Sequence, residues 1–182
     1  MFAATGILLL IGPACGVGIP ADESVLGFGF GKTSALEKAG CDPVSGHGDT
    51  AQENPGDPTS PFVGTATVRI RGDTFEDVAV TTILLGPPKE GDDGTLIAQT
   101  SHTFTVDDPE GSLQGSFTTT DKAVLEPTDT PGLFRLNSNM KITSGTGDFE
   151  NAGGRLHGHG EIDLGMGEAS FDINGVICFD GE

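Results

Sequence analysis

The sequence contains no tryptophan and no tyrosine, and it is poor in basic residues. Sugars and nucleobases stack on aromatic side chains, which here would have to be Phe or His, so the composition argues against a lectin. The 9 Lys and Arg residues are opposed by 27 Asp and Glu residues, which gives a formal net charge of −18 at pH 7. A surface of this charge repels nucleic-acid phosphates. We therefore expect no nucleic-acid partner.

The sequence also lacks an apolar run long enough to cross a membrane. Residues 3–11 are apolar, whereas a bilayer-spanning helix needs about 20 apolar residues. A short apolar run followed by small residues is typical of a secretory signal, although no basic residue precedes this one. We expect residues 1–21 to be a signal peptide or an apolar N-terminal segment, with a buried first strand as the alternative. We expect no transmembrane span.

Cysteine is scarce as well and occurs only as Cys15, Cys41 and Cys178. Cys15 follows the apolar run, which is where a lipoprotein carries its lipidated cysteine. If Cys15 is cleaved off or lipidated, Cys41 and Cys178 remain as one pair that an oxidising compartment would join. Three unrelated buried thiols are the alternative. These features predict an exported protein that is secreted, periplasmic or held at the cell surface as a lipoprotein through Cys15.

Glycine and proline, in contrast, are abundant, with 29 and 11 residues. The segment 22–61 is acidic and rich in turn-forming residues, and its last part, 54–61, has the composition of an extended linker. We therefore predict a Gly/Pro-rich acidic linker over 22–61. Together with 1–21 it makes a mostly irregular N-terminal extension, and it is followed by a single folded domain over 62–182.

Within the predicted domain, apolar and polar residues alternate with a period of two. Ala66, Val68 and Ile70 share one face of the first such segment, and Thr67 and Arg69 share the other face. This alternation is typical of a half-buried β-strand. Similar segments follow at short spacing and no window shows a convincing helical period, so about seven or eight strands are expected. The predicted fold class is all-β, either a sandwich or a barrel.

One segment is more specific than the alternation. Residues 142–154 have the sequence ITSGTGDFENAGG, which resembles the G-T-G-x-F-x-x-A-x-G stretch of the allene oxide cyclase and dirigent β-barrel superfamily. Independently of any family, Phe149 and Ala152 in this segment can plug a glycine-rich turn into a barrel end. The resemblance extends over roughly residues 62–178. It implies a single antiparallel β-barrel of about eight strands with an apolar lumen open at one end.

The resemblance also implies a kind of chemistry. Members of this superfamily cyclise fatty-acid epoxides, steer radical coupling or cyclise polyketide-like precursors, so their shared role is to shape a reactive apolar substrate. Their catalytic polar residues come from scattered strands, and we find no position in this sequence onto which those residues can be carried. The absence of tyrosine departs from the plant cyclases.

His102 is the candidate catalytic residue. It shares an alternating face with Leu96, Ala98 and Phe104. In the barrel that the resemblance implies, this face lines the lumen, and these four residues are the expected ligand-binding set. An unpartnered buried imidazole costs about 1–3 kcal/mol, so His102 should have a partner. It is either a core histidine bonded to backbone or to a Ser or Thr hydroxyl, or a general acid–base or substrate-orienting group.

A second cluster suggests metal binding. His157, His159 and Glu161 fall on one face of a strand, as alternate residues do, and H-x-H on a strand is how cupins hold a metal. In cupins the glutamate lies further from the second histidine. Because Arg155 and Asp163 continue the same face, a solvated surface is the alternative. We predict no bound metal and no cofactor.

Three functions are open at this point. The leading prediction is an exported acidic β-barrel that binds a small apolar molecule in its lumen and is non-catalytic or weakly catalytic. The first alternative is a cyclase or dirigent-like steering protein that acts on a lipophilic substrate, in which case the enzyme would be of the cyclase or isomerase type. The second is a structural surface protein whose acidic shell is the working part. A small lipophilic ligand is the expected partner, and homo-oligomerisation is left open.

Overall fold

The structure is a computed structural model that describes residues 40–57, 59–108 and 113–179. In these residues the chain forms a nine-stranded antiparallel sheet. The strands are β1 (Cys41–Gln52), β2 (Phe62–Ile70), β3 (Asp73–Leu84), β4 (Lys89–Glu90), β5 (Leu96–Asp107), β6 (Gln114–Pro127), β7 (Leu133–Gly147), β8 (Gly153–Asp163) and β9 (Glu168–Cys178). Within the described ranges, no helix has the length and apolarity needed to cross a membrane.

Hydrogen bonding closes this sheet into a barrel. Neighbouring strands follow the order β3-β2-β1-β9-β8-β7-β6-β5-β4, and an additional pairing joins β3 to β5. Since β4 contributes only two residues that pair with the start of β5, the other strands form the closed wall. The predicted all-β class and the eight-stranded antiparallel barrel are confirmed.

The two ends of the barrel differ. At one end β1 begins and β9 ends, and there Cys41 lies opposite Cys178; we call it the disulfide end. At the other end β3 ends and β5 begins; we call it the pocket end. The two ends are filled in different ways.

The barrel begins earlier in the chain than the sequence predicts. β1 pairs with both β2 and β9, so residues 41–52 form a wall strand and the linker predicted over 22–61 is wrong for this part. The strand escapes recognition because its inward face carries Gly46 and Gly48 in place of large apolar residues. A Cβ at Gly48 would lie 2.7 Å from the Cβ of Ala66, so the close approach of the strands requires glycine there.

The half of the barrel next to the disulfide end is packed with side chains. Phe104, Phe117 and Phe149 are fully buried in it. Ring centroids are 4.9 Å apart for Phe104 and Phe117 and 5.4 Å apart for Phe117 and Phe149. Phe179 continues the row, 5.8 Å beyond Phe149. Because Phe149 belongs to the turn between β7 and β8, this turn plugs the barrel at the disulfide end.

A disulfide joins Cys41 to Cys178, as predicted, and spans 137 residues of sequence. It links the first and the last wall strand, which are also hydrogen-bonded to each other. A disulfide indicates an oxidising compartment of the extracellular type. The predicted signal peptide over 1–21 and the predicted lipidation site Cys15 lie outside the described residues.

Candidate ligand-binding site

A cavity of about 120 Å³ occupies the barrel interior at the pocket end. Every strand of the wall contributes to its lining, which is mostly apolar. The apolar lining includes Phe62, Leu96, Ala98, Leu125, Leu136 and Phe171. Leu84 and Leu164 line the mouth and are 37% and 43% exposed, so the cavity is open to solvent. For comparison, an apolar cavity of roughly 150 Å³ binds benzene.

Small side chains create this space. Ala98 on β5 lies opposite Ala123 on β6, and both residues line the cavity. Further along the same two strands, in the packed half, Phe104 lies opposite Phe117. The interior is therefore filled where the strands place two phenylalanines and hollow where they place two alanines.

The floor of the cavity is polar. His102 on β5 lines the cavity, and its Nδ1 lies 3.0 Å from Oδ1 of Asp121 on β6. The side chain of Asp121 is completely buried, with 0% exposure, and that of His102 is 10% exposed. Both residues belong to the inward faces of adjacent strands, where Thr100 lies directly opposite Asp121. A buried histidine–carboxylate pair thus separates the hollow half of the barrel from the packed half.

Four donors surround the Asp121 carboxylate. Oδ1 accepts hydrogen bonds from His102 Nδ1 and from Thr119 Oγ1, the latter at 3.2 Å. Oδ2 accepts from Thr100 Oγ1 at 2.5 Å and from Ser138 Oγ at 2.7 Å. A carboxylate offers about four lone-pair sites, so the acceptor capacity of Asp121 is fully used. In the described part of the chain, no buried side-chain nitrogen or oxygen lacks a partner.

These contacts decide the charge of Asp121. Burial alone would raise the pKa of this carboxyl, but the hydrogen bond and the charge of His102, with the hydroxyls of Thr100 and Ser138, hold the pKa below its ordinary value of 3.8. The carboxylate is therefore ionised at neutral pH and can only accept. It follows that His102 donates through Nδ1, which leaves Nε2 for the cavity.

Of the four residues predicted to contact a ligand, Leu96, Ala98 and His102 line the cavity. Phe104 lies below the floor, fully buried in the packed half, with its ring centroid 6.2 Å from that of His102. The partner of His102 is a carboxylate and not the backbone group or hydroxyl expected of a core histidine. Ligand contact itself stays a prediction for all four residues.

Asp121 and Ser138 are missing from the sequence-based prediction, although the alternation contains a signal for each. On β6, Asp121 lies an even number of residues from Phe117 and Leu125, which places it on the apolar face. On β7, Ser138 lies two positions before the buried Met140. Polar residues at inward positions of two strands are the signal. Alternation alone does not predict how β6 and β7 are aligned, and this alignment brings Asp121 and Ser138 within hydrogen-bond distance.

The predicted metal candidates lie on the outside of the barrel. The rings of His157 and His159 have centroids 6.0 Å apart, and Glu161 is exposed on the same strand. Nε2 of His159 lies 3.8 Å from Oδ2 of Asp172, and Oδ1 of Asp172 lies 3.0 Å from Nδ1 of His47. Among the residues that the structure describes, no group of three or more His, Cys, Asp or Glu residues is arranged to hold a metal ion.

Comparisons with protein-family models, with curated proteins and with solved structures found no match. The chain is therefore described by its architecture, an eight-stranded antiparallel β-barrel with an apolar cavity above a buried histidine–carboxylate pair.

Proposed function

We propose that this chain is an exported β-barrel that binds a small, predominantly apolar molecule in its lumen. The observation that carries the proposal is the apolar cavity of about 120 Å³ with its open mouth at the pocket end. An apolar molecule that enters it loses contact with water, which contributes about 25 cal/mol for each Å² of apolar surface buried. The apolar wall thus supplies the free energy of binding.

The polar floor of the cavity favours one orientation of the bound ligand. His102 Nε2 is the ring nitrogen that the bond to Asp121 leaves for the cavity, so it can contact one polar group of the ligand. A neutral ligand is favoured over an anionic one, because the chain carries a formal net charge of −18 and Asp121 adds a buried carboxylate below the floor. The expected ligand is a compact neutral lipophile with one polar group.

A cyclase or steering activity of the allene oxide cyclase and dirigent type is the second candidate. The observation that favours it is the His102–Asp121 pair, because a cavity that only binds an apolar molecule gains nothing from a carboxylate buried beside an imidazole, which is costly to desolvate. The resemblance of residues 142–154 to that superfamily agrees with this candidate. A purely structural surface protein, in contrast, would leave the cavity without a role.

The proposed location of the protein is outside the cytoplasm. The Cys41–Cys178 disulfide supports export. Secretion, residence in the periplasm and attachment as a lipoprotein through Cys15 are the three forms that this proposal takes.

Calorimetric titration of the full chain with benzoxazole, a compact neutral aromatic, tests the lumen as a binding site. We expect one saturable site. A hundredfold excess of ligand over its dissociation constant should stabilise the fold by about 2.7 kcal/mol through mass action. Ala98→Leu should lower the affinity at least about tenfold, because the larger side chain fills the cavity that Ala98 lines.

Ala79→Leu is the matched control, since Ala79 is exposed on the outer face of β3. The affinity of this variant for benzoxazole should equal that of the wild type. If Ala98→Leu and Ala79→Leu bind equally well, or if the wild type binds neither benzoxazole nor other compact lipophiles, the cavity is not a binding site and the structural role becomes the better proposal.

A further inference from the structure

The hydrogen bonds at the floor fix which ring nitrogen of His102 carries a proton when the imidazole is neutral. Because the ionised Asp121 carboxylate is an acceptor only, His102 must carry a proton on Nδ1. In the neutral imidazole the lone pair is then on Nε2, the nitrogen that is left for the apolar cavity. With its imidazole neutral, His102 therefore presents a basic nitrogen to a molecule in the lumen.

The carboxylate holds this base in place. Three hydroxyls, from Thr100, Thr119 and Ser138, tie both oxygens of Asp121 to three neighbouring positions on β5, β6 and β7. A carboxylate that is fixed in this way cannot rotate to follow the imidazole, so it sets the orientation of the ring. When the ring takes up a second proton, the positive charge forms beside a negative charge that is already buried.

We propose that His102 is the general base of a proton-transfer reaction on a neutral apolar substrate bound in the lumen, and that Asp121 is its positioning residue. This inference rests on the proposed binding function. The Nε2 lone pair takes a proton from an acidic carbon of the substrate, and the electrons of the broken C–H bond stay on the substrate. The imidazolium then returns the proton to another atom of the same molecule, as in an isomerisation. In an elimination, the electron pair instead forms a new bond within the substrate as a bond to a leaving group breaks, and the imidazolium gives its proton to water.

The surroundings select the substrate class. A neutral molecule enters the apolar cavity without the desolvation cost that an ion would pay. The positive charge of the imidazolium forms only when the proton moves, and it forms next to Asp121, which compensates it. The reaction needs no oxidant or reductant, because a proton is the only particle exchanged. The substrate class is therefore a compact, uncharged carbon acid.

The probe 5-nitrobenzisoxazole reports this chemistry directly. A base removes the proton from its ring carbon, the electrons form a nitrile, the N–O bond breaks, and a coloured cyanonitrophenolate is released. The rings are flat, and the nitro group can extend into the open mouth beside Leu84 and Leu164. With the full chain we expect saturable release at least about tenfold faster than with free imidazole at the same concentration, since a positioned base contributes about 10²–10⁴-fold.

Three variants separate the roles of the residues. His102→Gln should lose the saturable reaction, and His159→Gln, which removes an exposed imidazole from the outer wall, should keep it. Asp121→Asn should lower kcat at least about tenfold while benzoxazole still binds with unchanged affinity and a stoichiometry of one per chain. A merely structural role for Asp121 predicts a reduced binding stoichiometry in parallel with the reduced rate.

Failure of the proposed catalysis can be distinguished from failure of the proposed binding. A wild type that binds benzoxazole but converts the probe no faster than His102→Gln overturns the proposal and leaves the binding function standing. A wild type that neither binds nor reacts overturns both. If His102→Gln does not fold, His102→Asn replaces it, and inhibition of the wild-type reaction by benzoxazole locates the reaction in the lumen. Absence of this inhibition overturns the proposal.

Discussion

Asp121 has more hydrogen-bond partners in the candidate site than any other side chain described above. Its two carboxylate oxygens accept hydrogen bonds from side chains on β5, β6 and β7. Replacing this residue should destabilise the fold, since its removal leaves several buried hydrogen-bond donors without an acceptor. The same contacts hold its pKa below the ordinary value of 3.8, which links its ionisation to the stability of the fold. This link has a definite sign and can be measured.

Asp121→Asn should remove a pH-dependent part of the stability. A carboxyl whose pKa is lowered in the folded state stabilises the fold fully above its ordinary pKa of 3.8, and this contribution is lost as the pH falls through the folded-state pKa. At neutral pH we expect the free energy of unfolding of the wild type to exceed that of the variant by about 3–5 kcal/mol. Below pH 3.8 the difference should shrink.

Urea unfolding followed by circular dichroism, from neutral to acid pH, measures this difference. Asp107→Asn is the control for the loss of one negative charge, because Asp107 is exposed on β5. A difference between wild type and Asp121→Asn that stays constant with pH would contradict the linkage. So would equal behaviour of the two variants.

At the scale of the strand, alternation predicts an element only where large apolar residues mark the inward face. β2 meets this condition through Val68 and Ile70, and it begins at Phe62, as predicted. β1 does not meet it, because Gly46 and Gly48 take inward positions. Side chains of other strands, such as Phe171 and Ile173, fill the space beside these two glycines. The sequence of β1 alone does not show which side chains these are.

The candidate site was predictable to a similar degree. His102 stands out because an imidazole on an apolar face is unusual, and the face itself follows from the alternation of β5. Its partner depends on how β5 and β6 are aligned, and the alignment that places Thr100 opposite Asp121 is fixed by pairing along the whole strands. The local pattern of a strand thus predicts which side chains point inward. Which of them contact each other depends on how neighbouring strands are aligned in the assembled sheet.

Gly48→Ala should destabilise the barrel. The added Cβ would lie 2.7 Å from the Cβ of Ala66 and 3.0 Å from Cζ of Phe171, so β1 could no longer approach β2 as closely. We expect a loss of about 1–3 kcal/mol in the free energy of unfolding, which is typical of an overpacked interior. Gly153→Ala, at the start of β8, is the control because nothing lies within 4 Å of the added Cβ. Equal unfolding midpoints for the two variants in urea would show that β1 does not pack as described.

At the scale of the whole molecule, the disulfide and the closed sheet act on the same junction. β1 and β9 are hydrogen-bonded along their length and also joined by the Cys41–Cys178 bond. The sheet therefore holds the junction in the folded state, and the disulfide chiefly limits the conformational freedom of the unfolded chain. Loss of the disulfide should lower stability without opening the barrel.

The double variant Cys41→Ser/Cys178→Ser tests this expectation in a Cys15→Ser background, which prevents thiol exchange. We expect the circular dichroism spectrum of the β-sheet to be kept and the free energy of unfolding to fall by about 2–5 kcal/mol. Addition of a reductant should reproduce this loss in the Cys15→Ser protein and have no effect on the variant that lacks all three cysteines. Equal unfolding midpoints with and without the two cysteines would contradict the role assigned to the disulfide.

The closure of the barrel by its first and last strands also gives the molecule a polarity. The polypeptide enters the wall at Cys41 and leaves it at Cys178, both at the disulfide end, while the mouth beside Leu84 and Leu164 is at the opposite pole. A tether or a fusion partner joined to the barrel through either of these residues is therefore attached behind the packed half. The mouth of the lumen then lies at the end of the barrel opposite the point of attachment.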